Sequence, residues 1–163
     1  MLRDFQSKKG GTVLQPNGGG GMGYAIPSAM AAALHFPGRR AVAVLGDGGF
    51  TMSLHSLVSA VELGLDLTVV VLDNTVLGWV YNGQRGRVIA SEFKAFDYPG
   101  IAASIGTTAS SVDTLDAFEA ALEKSLTTSG VSVIIASVSK ADRYQDIMAS
   151  INTVDTYAVP QDD

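Results

Sequence analysis

Three stretches of the chain are apolar without alternation: AVAVLG at 41–46, LTVVVLD at 67–73 and VSVIIASV at 131–138. Short β-branched runs of this kind predict strands buried on both faces, as in a parallel sheet covered by helices. Around them the pattern turns helical. MGYAIPSAMAAALHF at 22–36 is small and helix-forming and closes on PGRR. FTMSLHSLVSAVELG at 50–64 reads as one helix, with Met52, Leu54, Leu57, Val58 and Val61 on one side and Gly64 as its stop. A short helix is predicted near 77–84 and another over 97–106, starting after Asp97. An amphipathic helix follows over 112–126 with Asp113 as its N-cap, and a last one within ADRYQDIMAS. Alternating strands and helices imply an α/β fold, a doubly wound parallel sheet with helices on both faces.

The 163 residues suit a single domain, with 1–17 as an N-terminal extension and 149–163 as a tail. At 47% hydrophobic and 17% charged the chain is too apolar for disorder, yet no run is long enough to span a membrane. The start, MLRDFQSKKGG, lacks the apolar stretch of a signal peptide, so a soluble cytoplasmic protein is expected. With no Cys, disulfides, thiolate zinc sites and thiol nucleophiles are excluded together. A net charge of −5 is the wrong sign for a nucleic-acid partner. The glycines, 18 in all, crowd into the first third of the chain, where turns or close backbone approach are required.

In such a sheet the functional edge lies at the carboxyl ends of the strands. Asp47 ends one apolar run and Asn74 follows the next. A helix of about 15 residues carries the chain roughly 22 Å away, and the next strand returns it parallel, about 4.8 Å from the first if adjacent. The two side chains then converge on one edge. Two oxygen donors there suit a hard cation such as Mg²⁺ that keeps phosphate or water in its other positions. Gly48 and Gly49 open the intervening helix, whose first amides favour an anion. Taken singly, an Asp or a Gly after a strand is an ordinary cap or turn residue. The whole constellation predicts a metal-bridged phosphate site.

Gly46-Asp47-Gly48, 25 intervening residues and Asn74 resemble the thiamin diphosphate signature, GDG followed some two dozen residues later by NN. GGGGMGYAIPSAMAAAL at 18–34 is similar to a segment of the acetolactate synthase and benzoylformate decarboxylase group, as are DNTVLGWV at 73–80 and FDYPGIAASIG at 96–106. The resemblance runs from about Gly10 to Lys140. It implies thiamin diphosphate and Mg²⁺ as cofactors. Asp47 and Asn74 would ligate the metal through side-chain oxygens and Val76 through its carbonyl. The amides of Gly48 and Gly49 would hold the diphosphate, within a cofactor-binding set that includes Gly21, Gly46, Leu77, Gly78 and Trp79. Met22 would wedge the cofactor into its bent shape and the Gly20 carbonyl would accept from its amino group, which makes these two the catalytic candidates. Trp79 stands where the family often has an apolar residue facing substrate.

Two positions depart from the pattern. The first Asn of the pair is Asp73, which adds negative charge beside the metal, and Ser56 stands where acetolactate synthases often have Glu, with His55 beside it. His55 and His35 read as ordinary helix residues. The family's activating Glu lies on a separate pyrimidine-binding domain, and none of Glu62, Glu92, Glu119 and Glu123 matches that motif. The chain is therefore expected to be the diphosphate-binding subunit of a split enzyme, as in decarboxylases of the sulfopyruvate type. It would act on a 2-oxo acid, by decarboxylation or carboligation, only in a hetero-oligomer with a pyrimidine-binding partner. The initiating Met favours a natural subunit over an excised fragment. Two rivals are a non-catalytic structural or regulatory subunit of the same fold and an NAD-binding module. Gly18, Gly20 and Gly23 formally match a dinucleotide fingerprint, but GTVLQPN before them is a poor buried strand.

Overall fold

The computed structural model describes residues 7–16, 18–84 and 86–141. A parallel sheet is built from β1 (Ala41–Gly46), β2 (Leu67–Asp73), β3 (Thr108–Val112) and β4 (Val131–Ser137), in the order β1-β2-β4-β3. Among the described residues six helices accompany it: α1 (Ala25–His35), α2 (Asp47–Ser53), α3 (Ser56–Glu62), α4 (Gly78–Gly83), α5 (Tyr98–Ser104) and α6 (Leu115–Thr127).

Side chains alternate across the sheet, and the two faces bury separate clusters. Val69 and Val71 of β2 and Val133 and Ile135 of β4 pack with Ile26, Phe50, Leu57 and Ala102 from α1, α2, α3 and α5. Ile134 and Ala136 turn the other way, onto Phe118, Ala121 and Leu122 of α6. Helices thus lie on both faces, and the α/β expectation holds. β2 and β4, at the centre, are buried throughout except near their ends. β1 is not, although its sequence is equally apolar: it is an edge strand, and Val42 remains 46% exposed. An apolar run marks a strand but does not say how much chain is present to cover it.

Other expectations are corrected. The predicted single helix over 50–64 is two, and the first begins at Asp47 rather than Phe50. Ser53 Oγ donates back to the Gly49 carbonyl at 3.0 Å, a bond that bends helices. The Leu57 and Val58 amides then reach only to Leu54 and His55, three residues back. Helix α6 is capped not by Asp113 but by Thr114, whose side chain accepts from the Ala117 amide at 3.3 Å. Asp97 does cap α5, accepting from Gly100 at 2.9 Å. The strand β3 was absent from the sequence reading. Its TASSV is mostly polar, and among the described residues it pairs with β4 alone. The last predicted helix and the 149–163 tail lie outside the described residues, as does part of the 1–17 extension.

At the amino end of the sheet Arg40 joins three elements. It donates to the carbonyls of Gly130 (3.2 Å) and Thr128 and pairs with Asp66 at 3.4 Å. Asp66 in turn accepts the Gly130 amide at 2.7 Å. This leaves the carboxyl end of the sheet as the open edge. Among the described residues no helix is long and apolar enough to cross a membrane.

Candidate functional site

At the carboxyl edge β1 and β2 run in register from Ala41↔Leu67 to Gly46↔Leu72. Asp47 is the next residue on one side and Asp73 on the other, with Asn74 one step beyond. Asp47 is only 2% exposed. Its Oδ1 accepts the Gly48 amide at 2.8 Å, and its Oδ2 has no hydrogen-bond partner. Burial pushes its pKa up to about 6, the Gly48 amide opposes that, and the Asp73 carboxylate reinforces it. A buried carboxylate oxygen without a donor is costly. A cation is the partner that would relieve it.

Beyond β2 the chain makes two consecutive side-chain turns. Asp73 Oδ1 accepts the Thr75 amide at 3.0 Å and Asn74 Oδ1 accepts the Val76 amide at 3.2 Å. Thr75 is held at φ 60°, in the left-handed region. Residues 91–93 brace the segment: Leu77 donates to the Ser91 carbonyl (2.8 Å), Phe93 donates to the Thr75 carbonyl (2.7 Å), and Val76 bridges Glu92. Ser91 and Ile89 are tied in turn to the Gln84 side chain.

The glycine loop closes the site from the other side. Gly20 and Gly23 take positive φ values of 60° and 81°. Met22 is 52% exposed at the rim. A Cβ on Gly48 would lie 2.7 Å from Leu77 Cδ2, 2.8 Å from Met22 Cε and 3.5 Å from Phe93 Cζ. A side chain there would push these tips aside, since the apolar ends of three separate segments meet above Gly48. Gly49 is buried against Gly23 and Leu45.

The catalytic, cofactor and metal candidates from sequence line one cavity of 1340 Å³: Gly20, Gly21 and Met22 from the loop, Gly46 to Gly49 from the β1–α2 junction, and Asn74, Val76, Leu77, Gly78 and Trp79 from the segment after β2; Asp73 does not line it. Trp79 stands at its mouth, 73% exposed. One detail differs from expectation: the Gly48 amide is already engaged by Asp47. His55 and the four glutamates considered earlier are exposed and do not line the cavity, and His35, also exposed, stacks edge-on against Phe36 at 4.6 Å.

Sequence reasoning missed Phe93 and Tyr98. Tyr98 is 3% exposed and packs edge-on against Phe50 at 5.6 Å. Its hydroxyl has no partner, and burial together with the charges of Asp47 and Asp73 raises its pKa. An aromatic after an N-cap carries no signal of its own, and only the packing of α5 on α2 reveals it. The glycine loop follows residues 12–16, which form no strand, so the dinucleotide reading lacks the strand it needs.

The sequence over residues 1–136 matches the family model for the thiamine pyrophosphate enzyme, C-terminal TPP binding domain. Acetolactate synthase of Bacillus subtilis (strain 168) is 31% identical over 145 residues, which are 87% of this chain and 25% of that protein. The large subunit of acetolactate synthase isozyme 1 of Escherichia coli (strain K12) is 34% identical over 87 residues, 53% of this chain and 15% of that one. Benzoylformate decarboxylase from Polynucleobacter necessarius superposes with a TM-score of 0.70 at 25% identity, over 75% of this chain and 24% of that structure. The chain spans a quarter or less of the length of these relatives.

Proposed function

Since the chain belongs to the thiamine pyrophosphate enzymes as their C-terminal cofactor-binding domain, we propose that it holds thiamin diphosphate through Mg²⁺ as the diphosphate-binding part of an acetolactate synthase-like or decarboxylase-like enzyme acting on 2-oxo acids. The observation that carries this reading is Asp47 Oδ2, buried and unpartnered in the cavity that Asn74 and Val76 also line. Three oxygen donors from two adjacent strand ends fit a hard cation that completes its shell with diphosphate oxygens and water. The close approach at Gly48 fits as well, since a side chain there would press on Leu77 and Met22, which line the same cavity.

When bound, thiamin diphosphate supplies the electron sink that decarboxylation of a 2-oxo acid requires. The chain's own residues bind and orient. Asp47, Asn74 and Val76 would hold the cation, the Gly49 amide would serve the diphosphate, and Met22 would support the cofactor. The Gly20 carbonyl would accept from the cofactor's amino group, and Trp79 would border the substrate space. No glutamate among the described residues lines the cavity, which supports the reading that the activating Glu is supplied from outside these residues, by a pyrimidine-binding partner. The exposed Met22 and Trp79 at the rim suit an interface of that kind.

Calorimetric titration with thiamin diphosphate, with and without Mg²⁺, tests the reading on the chain alone and with a co-purified partner. Binding that needs Mg²⁺ and disappears in Asp47→Ala supports it. Mg²⁺-independent binding overturns the metal-bridged part of it, and no binding in either preparation overturns it in favour of a structural or regulatory subunit of the same fold. Decarboxylation by the purified single chain would refute the dependence on a partner.

A further inference from the structure

Asp47 was expected to face Asn74, but the strand register gives it a nearer neighbour. Gly46↔Leu72 is the last in-register pair of β1 and β2, and Asp47 and Asp73 are the residues immediately beyond it. Adjacent strands lie about 4.8 Å apart, so two carboxylates leave the same edge together. Among the described residues neither has a cationic partner, since Arg40 pairs with Asp66 and Lys140 with Glu92. Two buried polar atoms beside the pair also lack partners: Asp47 Oδ2 and the Tyr98 hydroxyl, on residues 2% and 3% exposed. A site with one carboxylate and one carboxamide carries a single negative charge and leaves a dication to be balanced largely by a diphosphate. A site with two carboxylates can balance it alone.

We propose that Asp73 is a second carboxylate donor of the cation site and that the chain binds a hard divalent cation by itself, before any diphosphate is present. This rests on the metal-bridged reading of the site. Asp73 Oδ1 accepts the Thr75 amide, a bond that the carboxamide of Asp73→Asn can also make, so this variant removes the charge and keeps the turn.

The test is titration of the whole chain with Mn²⁺, following free Mn²⁺ by electron paramagnetic resonance, with and without thiamin diphosphate. The wild type is expected to bind one Mn²⁺ without the cofactor. Asp73→Asn should weaken that binding at least tenfold and recover much of it when thiamin diphosphate is added. Asp73→Ser provides a second variant, and near-ultraviolet circular dichroism verifies that both fold. Equal Mn²⁺ affinity in wild type and Asp73→Asn would overturn the proposal while leaving the metal-bridged site standing. So would a wild type that takes up Mn²⁺ only with thiamin diphosphate. A wild type that binds Mn²⁺ in neither condition would overturn the proposal, and the metal-bridged reading with it if a co-purified partner does not restore binding.

Discussion

Asp47 and Asp73 stand side by side as the first residues past the last in-register pair of two parallel strands, and the buried one resists ionisation. Burial is the larger cause and the Asp73 carboxylate adds to it, raising Asp47 from 3.8 to about 6. The folded chain therefore holds this proton more tightly than the unfolded chain. The resulting stability is fully present below the unfolded value and is lost as the pH rises through about 6. At about 1.4 kcal/mol per pKa unit this amounts to roughly 2–3 kcal/mol. Urea unfolding of the cation-free chain should show that loss between about pH 4 and pH 7, and Asp47→Asn should flatten this part of the profile.

Gly48→Ala should separate folding from binding. The atoms it would meet are the tips of Leu77 and Met22, which can swing aside, and alanine favours a helix over glycine by about 1 kcal/mol. Stability should stay within about 1 kcal/mol of wild type. Cofactor affinity should fall at least tenfold, because the displaced tips enter the cavity. Thermal unfolding and calorimetry on the same preparation check both halves.

Gly23→Ala should do the opposite. Gly23 sits at φ +81°, and a Cβ there would lie 3.3 Å from Met52 Cβ, which cannot move without its backbone. Left-handed backbone costs a non-glycine residue about 1–2 kcal/mol, and the contact adds to it. A fall in denaturation midpoint equivalent to at least about 1 kcal/mol is expected, and an unchanged midpoint would contradict the loop geometry.

The cap of α6 distinguishes two adjacent residues. Thr114→Ala removes the bond to the Ala117 amide and should cost about 1 kcal/mol. Asp113→Ala should cost less than about 0.5 kcal/mol, as for an ordinary surface position. Chemical denaturation of the two variants decides between them. The reverse order would restore Asp113 as the cap.

The apolar runs at β1, β2 and β4 were sufficient to predict a parallel α/β sheet, and from it the convergence of Asp47 with the segment around Asn74. That inference works because strand burial and chain direction are written in local periodicity. Thr108–Val112 carries no such signal, and it is a strand only because β4 offers it an edge. The break at Leu54 and the shift of a cap from Asp113 to Thr114 turn on single side-chain hydrogen bonds that no period encodes. The same holds at the site. The sequence by itself supplied Asp47, Asn74 and the glycines. Tertiary structure alone decided that Asp73 neighbours Asp47, that Phe93 and Tyr98 stand beside them and that the face of β1 bearing Val42 stays open. Register and burial are properties of neighbours distant in sequence, and they appear only once the strands are laid together.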